Sequence, residues 1–257
     1  MNDAALLGRQ VRHELVFLVR TPIMMILSVG FPLAFFALVS AFVGNATLDA
    51  RAGIRVAQFL APAFASFGLV MAAFSFLAVG LAEARTLGVL RRQAGTPLPR
   101  WALLGGRIGA AVLLGLGSTV LVIGAGTAFY GVQVIGRTVP AVLVTLLVAG
   151  MSFAALGLAA GAWLPPQTAS AVTSGLVIVL AFVSDLFTFG GTMPAWMTTL
   201  GWVFPLKHLV NALGDAFNPY LDGGGWGWDH LAVIALWGLV GAALAVWGLR
   251  RAEDRSA

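Results

Sequence analysis

The chain has 257 residues, of which 60% are hydrophobic and only 10% are charged, and its formal net charge is +5. A soluble domain of this length cannot cover its surface with so few charged side chains, so the composition predicts a protein embedded in lipid. The fourteen arginines and one lysine flank apolar runs, which favours contact with a membrane surface over binding of nucleic acid. Cysteine is absent, which excludes disulfides and thiolate metal sites.

The N-terminal segment, residues 3–20, interleaves basic side chains with apolar residues such as Leu7, Val11 and Leu15. The apolar set repeats at intervals of three and four residues, which predicts an amphipathic helix in the membrane interface. A basic leader that only fixes the orientation of the chain has the same pattern, and the two interpretations are compatible.

Long apolar runs follow, and their lengths suit transmembrane helices at about 1.5 Å per residue. We place six spans within one membrane domain, 1–257, at residues 22–44, 56–82, 103–130, 139–162, 168–187 and 230–249. Pro32 predicts a kink in the first span. Residues 163–167 (WLPPQ) divide the fourth span from the fifth, because two consecutive prolines cannot continue a helix.

Glycines and prolines also predict how the spans meet and where they are interrupted. Gly105 with Gly109, and Gly157 with Gly161, are pairs four residues apart that favour close helix packing in lipid. Residues 190–225 are apolar in part but rich in glycine and proline, which predicts short interfacial or re-entrant helices before the last span.

The segment between the second and third spans, residues 83–96, holds several arginines beside leucines at helical spacing. Glu83 stands in the first turn, where a carboxylate suits the positive end of the helix dipole. Gly95 and Pro97 then end the helix. The pattern predicts a rigid charged helix that a soluble partner can contact, and an ordinary positively charged loop is the alternative.

The distribution of positive residues predicts the orientation. With the N-terminus in the cytoplasm, eleven lysines and arginines lie on the inner side and four on the outer side. We therefore expect a multi-pass protein of the cell inner membrane with both termini in the cytoplasm.

The sequence offers no convincing enzymatic site. The histidines His13, His208 and His230 form no spaced ligand set, and there is neither a GxSxG motif nor a phosphate-binding loop for ATP. We expect no cofactor or metal on this chain. Asp185 stands near a span end and is either solvated or touches a substrate path.

Phenylalanines crowd the first two spans, among them Phe35, Phe67 and Phe74. Such rings could line a route for an apolar or amphipathic molecule. They could equally face lipid or neighbouring helices, as most phenylalanines in spans do.

The order of these features resembles the membrane subunit of type-2 ABC exporters, the permease family that includes antibiotic and drug efflux systems. Residues 83–87, 90–92 and 95–101 resemble the family's loop, which often reads E-R-x-x-G-T-L followed by L-R-x-T-P-L. This chain departs by having one residue between Glu83 and Arg85 and a glycine before Thr96. Residues 204–208 resemble the family's N-P-L-x-H stretch, with Phe204 where asparagine is common.

The resemblance implies an all-α polytopic membrane protein with six transmembrane helices, an N-terminal interfacial helix, a cytoplasmic coupling helix and short re-entrant outer helices. Two permease subunits, identical or paralogous, would pair, and two copies of a separate ATP-binding ABC subunit would hold ATP and Mg²⁺. The residues that would couple to that subunit are Glu83, Arg85, Thr86, Leu87, Leu90, Arg91, Arg92, Thr96 and Pro97.

The leading hypothesis is therefore an ATP-driven exporter of a hydrophobic or amphipathic small molecule such as a drug, an antibiotic or a lipid-like compound. An exporter of polysaccharide or glycolipid has the same architecture, although the chain has only two tyrosines and no stripe of aromatic residues for stacking sugars. A non-transport membrane protein, such as an assembly factor or an intramembrane enzyme, is the alternative from another class. The coupling-helix pattern argues against it.

Overall fold

The computed structural model describes residues 3–43, 47–48, 54–89, 92, 98–187 and 194–254. Of the predicted coupling residues, Leu90, Arg91, Thr96 and Pro97 lie outside these ranges.

The chain is almost entirely helical, with one short antiparallel ladder. The α-helices are α1 (Asp3–Val19), α2 (Pro22–Met25), α3 (Phe31–Val43), α4 (Val56–Val70), α5 (Leu77–Thr86), α6 (Arg100–Tyr130), α7 (Val139–Trp163), α8 (Pro166–Val183), α9 (Ala195–Gly201), α10 (Pro205–Ala216) and α11 (Trp228–Asp254). Strand β1 (Thr47–Leu48) pairs with β2 (Ile54–Arg55), with Thr47 opposite Arg55. π-Helical segments, Ile26–Gly30 and Met71–Phe76, join α2 to α3 and α4 to α5.

Six helices are long and apolar enough to cross a membrane among the residues described. We call them spans 1 to 6, in order Ile26–Val43, Val56–Thr86, Trp101–Tyr130, Gly136–Trp163, Pro166–Val183 and Trp228–Arg251. The predicted class, an all-α polytopic membrane protein, is confirmed.

Span 2 forms the centre of the bundle. In the most apolar 18-residue window of span 2, 83% is buried inside the protein, whereas the share for the corresponding window of span 1 is 22%. Its small residues, such as Ala61, Ala65 and Ala72, let neighbouring helices approach closely. A movement of span 2 must therefore displace the helices that pack around it.

Span 1 bends where proline removes a backbone donor. Pro32 has no N–H for the carbonyl four residues earlier, that of Ser28, and the π-helical segment lies directly before it. The hydroxyl of Ser118 on span 3 donates to the Ser28 carbonyl oxygen at 2.8 Å. Span 3 thus helps to satisfy the backbone of span 1 at the bend.

Glycines on span 4 pack against the backbone of span 2. A Cβ at Gly157 would lie 2.6 Å from the Phe74 carbonyl oxygen, and one at Gly161 would lie 2.5 Å from that of Ala78. No larger residue fits at these distances, so this glycine pair sets the separation of the two spans.

The other glycine pair, Gly105 and Gly109, meets α1. A Cβ at Gly109 would lie 2.7 Å from a methyl group of Val11, and Gly105 is close to Leu7. The predicted interfacial helix is therefore held against the beginning of span 3. We call this side of the molecule the basic end. It contains α1, the C-terminal end of span 2, the N-terminal end of span 3, the turn between spans 4 and 5, and Arg250 with Arg251. The opposite side, which contains α10, is the α10 end.

Candidate functional site

The candidate coupling surface lies where span 2 ends. The helix was predicted to leave the membrane at residue 82, but it continues to Thr86, so Glu83, Arg85 and Thr86 belong to its last turns. The chain then turns at Gly88, whose φ of 66° lies in the left-handed region that glycine tolerates best. The N–H of Arg92 donates to the Gly88 carbonyl at 3.1 Å, which begins a new helical turn.

Several side chains of this surface are available for contact. Glu83, Thr86, Leu87 and Arg92 are exposed, and Leu87 is 67% exposed although it is apolar. The surface therefore combines one carboxylate, one guanidinium and an uncovered leucine at the tip of the most buried span.

Arg85, which was predicted to couple to a partner, instead turns toward span 4. Its Nη1 donates to the Gly161 carbonyl oxygen at 2.7 Å, and its side chain is partly buried. Because Gly161 is also the close-packing glycine, the end of span 2 is tied to span 4 by a hydrogen bond and by direct backbone contact. A role for Arg85 in touching the partner stays a prediction.

A second connection joins α1 to span 3. Nε of Arg107 lies 3.3 Å from a carboxylate oxygen of Glu14, and the two side chains are only 12% and 19% exposed. The sequence shows both charges but gives no sign that they pair, since they are 93 positions apart.

The predicted substrate-path residues separate into two groups. Phe35 and Phe67 lie in an aromatic cluster that also contains Phe31, Phe64, Phe182 and Phe187. The ring of Phe187 is central, with its centroid 5.8 Å from that of Phe35 and 6.3 Å from that of Phe67. Phe74 lies seven residues further along span 2, roughly 10 Å from Phe67 at the usual rise, and is buried against span 4. Phe187 follows the end of span 5, and hydropathy alone gives no signal for its central place.

Asp185 has a structural role at the end of span 5. It ends span 5 in the left-handed conformation, at φ 62°, and the following N–H, of Leu186, donates to the Ala181 carbonyl at 3.1 Å. Its carboxylate lies 3.2 Å from the ammonium of Lys207, which is 3% exposed and also donates to the Thr198 carbonyl. The Asp185–Lys207 ion pair therefore connects the end of span 5 to α10, and the Lys207–Thr198 hydrogen bond connects α10 to α9. Contact between Asp185 and cargo stays a prediction.

The α10 end also contains two buried histidines, His208 and His230, whose contact could not be predicted because they are 22 positions apart. Nδ1 of His208 and Nδ1 of His230 are 2.9 Å apart, and the Trp202 ring stacks on His230 with its centroid 6.0 Å away. Asp229 is 3.8 Å from His230 and largely exposed. Within the described part of the chain no cluster of three or more possible ligands could hold a metal ion.

The fold and this surface define a class: a six-span helical membrane subunit with a charged surface at the tip of its central helix and no nucleotide-binding motif of its own. The family model described as ABC-2 family transporter protein matches residues 49–248, well over half of the chain, so the protein belongs to the ABC-2 transporter family. It is therefore the membrane subunit of an ABC transporter, is not itself the ATPase, and has an ATP-binding ABC subunit as its partner. No curated protein sequence matches the chain.

Proposed function

We propose that the chain is the permease of an exporter that moves a hydrophobic or amphipathic small molecule out of the cytoplasm or the inner leaflet. The observation that carries the proposal is the exposed surface of Glu83, Leu87 and Arg92 at the tip of span 2, the most buried helix. Two permease subunits would pair in the cell inner membrane, with both termini in the cytoplasm. Two copies of the partner subunit would bind ATP and Mg²⁺.

Mechanical coupling follows from the contacts of span 2. Closure of the ATP-binding subunits would press on the surface around Leu87 and Arg92. The load passes along span 2 and, through the Arg85–Gly161 hydrogen bond, into span 4. Because packed helices shift as rigid bodies and do not deform continuously, a small displacement at this tip repositions the spans around the aromatic cluster.

The aromatic cluster supports an apolar cargo over a glycan. All six of its side chains are phenylalanines, and Phe31 and Phe182 on its margin are 39% and 50% exposed. A glycan would need hydrogen-bonding partners that phenylalanine cannot supply, whereas an apolar or amphipathic molecule gains from burial against such rings.

Charge reversal tests the coupling surface. With Arg91 and Arg92 both changed to Glu, we expect ATP hydrolysis by the purified complex to fall by about tenfold or more, because like charges at an interface cost several kcal/mol. The matched control is Arg55→Glu, an exposed arginine at the α10 end. Normal hydrolysis by the double variant, or no association with any ATP-binding subunit, would contradict the proposal.

A ring deletion tests the cargo path. We expect Phe187→Ala to weaken stimulation of the ATPase by hydrophobic drugs by up to about tenfold, because losing one partly buried ring contact costs on the order of 0.5–1.5 kcal/mol. Phe129→Ala on span 3 is the control, since that ring is 81% exposed and lies outside the cluster. If oligosaccharides and not drugs stimulate ATP hydrolysis, the cargo is a glycan and the proposal of an apolar cargo is wrong.

A further inference from the structure

A cleft of about 320 Å³ lies at the basic end between α1, span 2 and span 3. Its deeper walls are apolar side chains, which include Ala72, Phe76, Leu77 and Ala111. Its polar lining residues are His13, Glu14, Glu83 and Arg107. The aromatic cluster contributes nothing to these walls, so the cleft is separate from the proposed cargo path, but it shares Glu83 and Leu87 with the coupling surface.

The polar lining is incompletely paired. Arg107 stands within the first two turns of span 3, at the basic end, and a largely buried guanidinium is costly unless its donors are satisfied. Its Nε is paired with Glu14, but its Nη1 is buried and finds no acceptor among the described residues. Glu83 is exposed and adds a second carboxylate. Besides His13, two carboxylates and one guanidinium line the same opening.

The dimensions suit a lipid chain. The lining of the cleft runs along span 2 from Ala72 past Glu83 to Leu87, and the part from Ala72 to Glu83 covers eleven residues or about 16 Å at the usual helical rise. One leaflet is half of a hydrocarbon core about 30 Å thick, or about 15 Å. An acyl chain laid along the apolar wall would therefore bring its headgroup to the level of the charged residues.

We propose that this cleft binds one zwitterionic phospholipid that carries a primary ammonium group. The phosphate oxygens accept hydrogen bonds from the Arg107 guanidinium, which lines the cleft, the ammonium donates to the Glu83 carboxylate, and an acyl chain covers Phe76 and Leu77. Each part of the ligand matches a feature of the cleft: a guanidinium, an exposed carboxylate and an apolar wall.

Related ligands match fewer of these features. A lipid with an anionic headgroup and no cation would bring its phosphate near Glu83 without compensation. A cationic amphiphile without a phosphate would bring a second positive charge beside the Arg107 guanidinium and offer it no acceptor. A quaternary ammonium carries the charge but has no N–H to donate, so it makes a weaker contact with a carboxylate.

Competitive retention of lipids tests the proposal. The full chain is purified in mild detergent, mixed with equal amounts of phosphatidylethanolamine, phosphatidylglycerol and phosphatidylcholine, and examined by native mass spectrometry. We expect one phosphatidylethanolamine per chain, retained about tenfold or more over the other two, because charge-assisted hydrogen bonds are lost with each of them. Water-soluble glycerophosphoethanolamine, added in excess, should displace little of the lipid if the acyl chain is bound as well. Equal retention of the three lipids, or full displacement by the free headgroup, would overturn the proposal.

Two pairs of variants locate the site. Gly80 lines the cleft, and a Cβ there meets no atom within 4 Å, so Gly80→Phe fills the opening without touching the charges. Its control is Gly117→Phe, an equally open position on span 3 outside the cleft. Arg107→Gln removes the phosphate-binding charge, and Arg12→Gln, an exposed arginine on α1, is its control.

We expect Gly80→Phe and Arg107→Gln to abolish the preference for phosphatidylethanolamine while both controls keep it. Arg107→Gln also breaks the pair with Glu14 and can loosen α1. If Arg107→Gln is poorly folded for this reason, the Gly80→Phe result alone shows whether the lipid binds in the cleft. Unchanged retention by Gly80→Phe would refute binding in this cleft.

Discussion

The side chain of Gln58 is buried at the α10 end, yet all of its polar groups are used. Its Nε2 donates to the carbonyl oxygens of Gln133 at 3.0 Å and Phe217 at 2.6 Å, and its Oε1 accepts from the N–H of Gln133 at 2.7 Å. One amide therefore joins the beginning of span 2 to the loop after span 3 and to the end of α10. Buried backbone groups left without such a partner are costly, so this residue stabilises three segments together.

Replacing Gln58 by Leu should destabilise the protein by about 1–3 kcal/mol, because the buried Phe217 carbonyl and the partly buried N–H and carbonyl of Gln133 lose their partner. Thermal unfolding in detergent, followed by size-exclusion chromatography, measures the loss. Gln133→Leu is the matched control, since residue 133 contributes only its backbone and its side chain is exposed. Equal midpoints for the two variants would show that the hydrogen bonds contribute little.

Among the helices, spans 2 and 4 are in direct backbone contact through the glycines of span 4. The π-helical segment Met71–Phe76 lies in span 2 beside Gly157, and the carbonyl oxygens of Ala73 and Phe74 would be 2.8 and 2.6 Å from a Cβ there. π-Helical turns change the direction in which carbonyls point and often occur at functional sites. The glycine accommodates this irregular backbone.

Gly157→Ala should push the two spans apart and cost about 1–3 kcal/mol, as overpacking does in a closely packed interior. We also expect lower drug-stimulated ATPase activity, because the load from the tip of span 2 passes through this contact. Gly175→Ala on span 5 is the control: its Cβ meets no atom within 4 Å, and alanine favours helix, so stability should be unchanged or slightly higher. If Gly157→Ala is as stable and active as the control, the contact neither sets the separation of the spans nor transmits force.

The six spans could be predicted from the sequence because they depend on local properties: apolar length, the prolines at 165 and 166, and the flanking arginines. The two π-helical segments could not be predicted, since they depend on what the neighbouring helices offer, such as the Ser118 hydroxyl beside Pro32. In the coupling segment, the sequence shows which residues are charged, and their role in coupling stays a prediction. It cannot show that Arg85 faces span 4, because the partner is a carbonyl 76 positions away.

The same limit applies to the aromatic cluster and to the cleft. Phe35 and Phe67 were predicted from the crowding of rings in spans 1 and 2, but Phe187 comes from a segment beyond span 5 that folds back onto them. The pairing of Glu14 with Arg107 similarly depends on how α1 lies across span 3. Hydropathy identifies spans without specifying their neighbours, so sites built between helices need the structure.

For the molecule as a whole, orientation decides whether the coupling surface can meet an ATP-binding subunit. The count of eleven positive residues against four predicts that the basic end faces the cytoplasm. The natural chain has no cysteine, so single cysteines can be introduced without a background to remove. Gly8 on α1 and Gly136, the first residue of span 4, are both exposed, and a Cβ at either position meets no atom within 4 Å.

In intact cells, a membrane-impermeant maleimide should label Gly136→Cys and leave Gly8→Cys unlabelled until the membrane is permeabilised. Both substitutions leave the count of positive residues unchanged, so the labelling reports the natural orientation and not one altered by the variant. The reverse pattern would put Arg92 and Leu87 outside the cell, where no ATP-binding subunit can press on span 2. It would also move the proposed lipid cleft to the outer leaflet, although the chemistry of that cleft would be the same. This experiment therefore separates the coupling proposal, which requires one orientation, from the lipid proposal, which does not.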